Sequence, residues 1–143
     1  MDRQIIWILN EKWGILKEIL IELNVKIKRT KKFKGKIKDF CILEIVDKWI
    51  QVPLSKKEVD SLNEKINELE RKGSFKKLPE YKMVNLKIPF GKLKIFRNKI
   101  LELRKKEVNE KALSVCFDHA LNKWLEESQP KRLDRLSDEF ENK

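Results

Sequence analysis

One histidine, His119, and a charged segment holding Asp39, Glu44, Asp47 and Lys48 are the residues of this chain best suited to move a proton or hold a metal. Restriction-type nucleases hold a divalent metal with an Asp, then an acidic residue, then a Lys two positions further on, carried on neighbouring strands. Here Val46 stands two places after Glu44, so the spacing fails and these charges read as strand ends and turns. His119 lies mid-helix beside Ala120, with no second His or Cys at ligand spacing, and reads as structural. The four glycines, Gly14, Gly35, Gly73 and Gly91, are isolated, so no loop can cradle a phosphate, and no Ser sits in a nucleophile-elbow context. Cys41 and Cys116 fall in apolar runs without CxxC spacing, which suits buried thiols in a reducing compartment better than a disulfide or a metal site. The expectation is a protein that is not an enzyme, with no catalytic residue, metal or cofactor.

The remaining chemistry is electrostatic. The chain carries 34 Lys and Arg against 23 Asp and Glu, a net charge of +11, and the excess is segregated. Residues 25 to 40 hold eight basic groups and one acidic, and residues 81 to 106 hold nine and one. Clustered cations favour a polyanion, because each phosphate they neutralise releases condensed counterion. In the first cluster Lys26, Lys28, Arg29, Lys31, Lys32, Lys34 and Lys36 surround Phe33, a set suited to phosphate contact with one aromatic available to stack on a base. In the second, Asn85, Lys87, Lys92, Lys94 and Arg97 are the candidates. Lys outnumbers Arg, which favours phosphate contact over bidentate base reading.

These residues need a scaffold, and 41% hydrophobic residues suffice for a core. Ile6, Leu9, Trp13, Leu16, Leu20 and Leu23 alternate steps of three and four, predicting a helix over 3–23. Residues 25 to 53 read as a three-stranded antiparallel meander, with a turn at Lys34-Gly35-Lys36 and a buried central strand Phe40–Val46. Ser55-Lys56-Lys57-Glu58 is a capping box opening a helix whose stripe is Val59, Leu62, Ile66 and Leu69, stopped by Gly73. A polar connection containing Pro79 follows, then a short strand 83–88, a helix from about 90 to 106, a second helix to about 127, and a helical or frayed tail. No internal repeat is evident. The fold class is α+β: a short antiparallel β-meander with packed helices, followed by a strand-helix-helix module. The division is 1–78 for the α+β domain, 79–128 for the module and 129–143 for the tail, with a single α+β domain over 1–128 as the alternative.

Residues 82 to 125 resemble the ribbon-helix-helix family of DNA-binding proteins. The resemblance rests on the strand Val84-Asn85-Leu86-Lys87-Ile88-Pro89, a first helix with Leu93, Phe96, Ile100 and Leu103, and a second helix Ser114–Leu125 ending in Trp124-Leu125. Phe90-Gly91 departs from the usual polar start of the first helix, and the interhelix loop lacks the common Gly and Ser/Thr pair. The resemblance implies that the strand pairs with its copy in a homodimer. Val84, Leu86 and Ile88 would then face the helices, while Asn85 and Lys87, with Met83 as an apolar accessory, face the DNA major groove. It also implies a phosphate at the N-terminus of the second helix, near Asn109.

The function expected is a non-catalytic nucleic-acid-binding protein. DNA is favoured over RNA, and the role is a double-stranded-DNA regulator of transcription or a genome-maintenance factor. Two alternatives stand beside it: a basic accessory subunit of a larger nucleoprotein complex on RNA or single-stranded DNA, and a protein-protein adaptor. The longest apolar stretch, Ile5–Leu9, is too short to span a bilayer and no signal peptide is visible, so the expected location is cytoplasmic, away from membranes. The expected state is a homodimer or a partner-protein subunit.

Overall fold

The computed structural model describes residues 2–27, 37–127 and 129–141. Its elements run β1 (Asp2–Leu9), α1 (Asn10–Ile27), α2 (Ile37–Gln51), α3 (Lys56–Lys72), a 3-10 turn (Phe75–Lys77), β2 (Tyr81–Ile88), α4 (Phe90–Arg104), α5 (Glu110–Leu125) and α6 (Gln129–Glu141). The fold is α+β, with six helices around one two-stranded antiparallel sheet among the described residues. No helix there is long and apolar enough to cross a membrane.

Two expectations of secondary structure are corrected. The helix predicted over 3–23 starts only at Asn10, and Asp2–Leu9 is a strand. Ile5, Ile6, Trp7 and Ile8 are β-branched or aromatic, and they alternate between an exposed and a buried side. The strand is fixed by a distant partner: β1 pairs β2 from Asp2 opposite Ile88 to Leu9 opposite Tyr81. At the crossing into α1, the Asn10 amide donates to the Glu80 carbonyl at 2.8 Å and its side chain to the Pro79 carbonyl at 3.0 Å.

The three-stranded meander over 25–53 is the second correction. Val25 and Ile27 belong to the last turn of α1, and Phe40–Val46 is the middle of α2. Ile37, Cys41, Ile42, Ile45, Val46 and Trp49 are buried at helical spacing, and an apolar run broken only at Glu44 does not by itself tell that pattern from a two-sided strand. The turn expected at Lys34-Gly35-Lys36 lies outside the described residues.

The capping box forms as its sequence predicts. Ser55 Oγ accepts from the Glu58 amide at 3.1 Å, while Glu58 accepts from the Ser55 amide at 3.2 Å. Gly73 ends the segment at φ 89°, a conformation that costs a residue with a Cβ. The strand expected over 83–88 and the helix pair after it are also present, as β2, α4 and α5.

A two-stranded ladder is marginal alone. Its inner residues Ile6, Ile8, Val84, Leu86 and Ile88 are buried on the helices and join a cluster that draws on residues before and after position 78. The helices cross over to reach the sheet: α5 packs on β1, and α2 packs on β2. The Trp7 amide donates to Ser114 Oγ of α5 at 2.9 Å.

An internal repeat emerges, contrary to the sequence expectation. The element order strand, helix, helix, helix occurs twice. Advancing eighty positions carries Ile6 to Leu86, Ile8 to Ile88, Trp13 to Leu93 and Leu16 to Phe96, and all eight side chains are buried. Exposed apolar positions follow the same shift, Ile15 to Ile95 and Ile21 to Leu101. In the second helices the shift is seventy-five, from Cys41 to Cys116, Val46 to Leu121 and Trp49 to Trp124. The first repeat is thus five residues longer between its first two helices, where the basic segment lies.

Candidate nucleic-acid interface

Strand alternation gives the sheet an outer face on which Arg3, Ile5, Met83, Asn85 and Lys87 are exposed. The register sets Arg3 opposite Lys87, Ile5 opposite Asn85 and Trp7 opposite Met83. Cross-strand neighbours on one face lie close enough to interact, and like charges there repel. Neither Arg3 nor Lys87 has an ion-pair partner among the described residues.

The two ends of this face differ. At one end Trp7 stacks on Phe75, with ring centroids 5.3 Å apart and planes 13° from parallel, and Phe75 packs on Tyr81 at 4.9 Å. The Trp7 indole donates to Glu110 at the start of α5. A groove of about 380 Å³ opens beside it, lined by Ile5, Trp7, Phe75, Met83 and Glu110 among others. The other end is cationic, with Arg3 opposite Lys87, and the Ile5–Asn85 pair lies between the two ends.

The sequence candidates fall into three groups. Asn85 and Lys87 share the outer face, as alternation predicts, and Lys94 is exposed on α4. Three others face protein groups: Lys26 binds Asp134 of α6 at 2.8 Å, Lys92 binds Asp47 of α2 at 2.5 Å, and Arg97 donates to Gln4 Oε1 at 3.2 Å. Lys28, Arg29, Lys31, Lys32, Phe33, Lys34 and Lys36 lie outside the described residues.

Acidic and amide groups occupy the α5 N-terminus, the expected phosphate site. Asn109 caps it by accepting from the Ala112 amide at 2.9 Å and donates to Glu70 at 3.2 Å. Glu110 adds a carboxylate in the first turn. Hydrogen bonds from Asn109 and then Arg104 hold the Glu70 carboxyl below the usual range. Two anionic carboxylates there oppose a phosphate.

Arg3 and Ile5 are the residues of this candidate face that sequence reasoning missed. Their signal was the alternation Arg3-Gln4-Ile5-Ile6-Trp7-Ile8, hidden because Ile6, Leu9 and Trp13 also satisfy a helical spacing.

The residues considered for catalysis stand elsewhere, on helices. Glu44 accepts from the Trp124 indole at 2.8 Å and from Arg135 at 2.9 Å, and Asp47 is the partner of Lys92. His119 Nδ1 accepts from the Trp49 indole at 2.9 Å, and its Nε2 lies 3.2 Å from Glu58. No group of His, Cys, Asp or Glu among the described residues is arranged to hold a metal ion. Cys41 and Cys116 are buried and not disulfide-bonded.

No protein-family model matches this chain, and comparison with curated proteins and with solved structures likewise gives no match.

Proposed function

We propose that this protein binds double-stranded DNA, without catalysing a reaction on it, through the outer face of the β1–β2 ribbon. The observation that carries the reading is the placement of Arg3 opposite Lys87 on an exposed strand pair, with Asn85 on the same face. Two cations held side by side without a carboxylate repel each other, and an anion between them relieves that repulsion. A two-stranded ribbon fits the major groove of B-form DNA, where Asn and Arg side chains can pair with base edges. The resemblance to ribbon-helix-helix proteins supports the same face, since Asn85 and Lys87 are the positions it assigns to the groove. Lys94 and the basic segment before α2 add charge for the phosphates. Regulation of transcription or genome maintenance is the role this binding would serve.

The test is a low-salt mobility-shift panel of duplex DNA, single-stranded DNA and RNA. Duplex DNA should be retained best, with affinity falling steeply as salt rises. Arg3→Ala and Lys87→Ala should each weaken binding and flatten the salt dependence by about one counterion per contact. Unchanged binding in both variants would place the interface elsewhere.

One observation favours a second reading, an accessory subunit of a larger nucleoprotein complex. Ile21 and Val25 on α1 are 61% and 67% exposed, an apolar surface that a partner protein would cover. Co-purification of a second subunit, lost on Ile21→Lys, would support it.

A further inference from the structure

The two halves of the ribbon have the same architecture and different outward chemistry. The repeat relates Ile6 to Leu86 and Ile8 to Ile88, so its approximate twofold axis passes through the Ile5–Asn85 pair, where the two strands face each other. Hydrogen bonds in the helical layer obey the same axis. The Trp49 indole of α2 donates to His119 of α5, and the Trp124 indole of α5 donates to Glu44 of α2. Trp124 is the repeat equivalent of Trp49, and His119 of Glu44, at the shift of seventy-five. One chain therefore closes on itself in the way a twofold dimer would.

The outward residues break that symmetry. The axis exchanges Arg3 with Met83, Ile5 with Asn85, and Trp7 with Lys87. Each exchange sets a polar or charged side chain against an apolar one. The polar end holds Arg3 and Lys87, and Asn85 faces Ile5 at the axis. The apolar end holds Met83 and Trp7, with Phe75 stacked over the indole. Charge is polarised in the same direction, because Glu110 sits at the Trp7 end.

Resting on the DNA-binding reading above, we infer that a single chain binds one non-palindromic duplex site in a fixed orientation, without a second copy. A palindromic site offers the same base edges at both ends, and this ribbon cannot answer both with the same groups. Arg3 and Lys87 take one half, where guanine O6 and N7 accept hydrogen bonds, and Asn85 faces Ile5 at the centre, where adenine N7 and N6 can pair with its amide. Met83 takes the other half, where the thymine methyl is the apolar group the major groove presents. Specificity thus divides along the ribbon into a hydrogen-bonded end and a methyl-reading end.

The experiment selects binding sites from a randomised duplex pool with the full-length chain. Mass is measured by light scattering, free and on the selected duplex. The expected result is a monomer, a complex of one chain per duplex, and a motif without dyad symmetry. Arg3→Ala should relax base preference only in one half of the motif, and Asn85→Ala only at its centre. Replacing thymine by deoxyuracil in the other half should lower affinity several-fold for the parent and leave a Met83→Ala, Ile5→Ala variant unaffected. All these side chains are exposed, so the variants keep the fold, and circular dichroism checks that directly. A palindromic motif, two chains per site, or a free homodimer overturns the inference and leaves duplex binding intact. Failure to retain any duplex at low salt overturns both readings.

Discussion

Trp49 donates its indole N–H to Nδ1 of His119 across the α2–α5 interface, at 2.9 Å. That bond fixes the imidazole tautomer, because a nitrogen that accepts carries no proton, so the proton sits on Nε2, 3.2 Å from Glu58. Trp124 and Glu44 make the equivalent bond in the opposite direction at 2.8 Å. A cation caps each of these helices beyond its tryptophan. Lys99 lies over the Trp49 ring at 4.5 Å and donates to the carbonyls of Trp49 and Val52. Arg132 lies over Trp124 at 4.6 Å and donates to the Leu125 and Glu127 carbonyls. Lys99 comes from α4 and Arg132 from α6, so the two halves reach the same end by different routes.

Acid should weaken the fold in two stages, beginning at His119. Burial lowers the pKa of this imidazole, Lys123 and Lys65 push the same way, and Glu58 opposes them. A group whose folded pKa is depressed contributes stability that is complete above its unfolded pKa and declines as pH falls through the folded value. The first loss therefore begins below about pH 6.5, as the unfolded state takes up protons before the folded state does. Protonated His119 has no acceptor for the Trp49 indole. His119→Asn keeps an acceptor near the Nδ1 position and should abolish this first stage. The second stage belongs to Glu58, which hydrogen bonds from Lys123 and then Ser55 lower from 4.5 to about 2. Its contribution should disappear between those values in parent and variant alike. Thermal melts from pH 8 down to about pH 2 test both stages, and an unchanged first stage in the Asn variant would refute the assignment.

Glu44 should prove structural. Glu44→Leu removes the acceptor of a buried indole and one partner of Arg135. Leaving such a donor unsatisfied costs about 1–3 kcal/mol. Glu44→Gln keeps an oxygen for the indole and should recover part of that loss. Urea melts measure the order Leu below Gln below parent. If Glu44 served a metal-dependent nuclease centre, both changes would instead abolish cleavage at little cost in stability.

Local signals survived the passage from sequence to structure, and long-range ones did not. The Ser55–Glu58 box, the Gly73 stop and the alternation of Val84, Leu86 and Ile88 each depend on residues a few positions apart, and each was legible. β1 was not, because what makes Asp2–Leu9 a strand is a partner some eighty residues away. α2 was not, because Phe40–Val46 is apolar except at Glu44 and its period is not evident until one side finds α5. Those two misreadings together hid the repeat: a helix and a meander cannot be aligned with a strand and a helix pair. Once both halves have the same elements, Trp49-Ile50 and Trp124-Leu125 fall into correspondence. Of the candidate interface, Asn85 and Lys87 were readable from their own strand. Arg3 was not, since its position on the face depends on the pairing.

Cys116 should report unfolding. Its side chain is buried, and burial pushes the thiol up to about 12, so almost no thiolate exists at neutral pH. A thiol reagent such as dithionitrobenzoate should leave Cys116 unmodified in the native protein and react promptly in denaturant. With Cys41→Ala to isolate the signal, the native labelling rate should track global opening and rise with urea in step with the melt. Rapid native labelling would place this part of α5 outside the core.

The repulsion between Arg3 and Lys87 links stability and binding with opposite signs. Arg3→Glu converts a like-charged cross-strand pair into an attractive one, and favourable cross-strand pairs contribute roughly 0.2–1 kcal/mol. The pair is exposed, so the gain should sit at the low end of that range and fade in high salt. On the proposed function duplex affinity should move the other way, because the variant loses one cation of the proposed face and adds a carboxylate that would oppose the polyanion. Lys87→Glu should behave similarly. The double exchange Arg3→Glu, Lys87→Arg should keep the stability gain without restoring affinity. Melting temperature and mobility shift on the same preparations separate the two effects. A variant that binds duplex as well as the parent while melting higher would show that these two cations do not meet the nucleic acid.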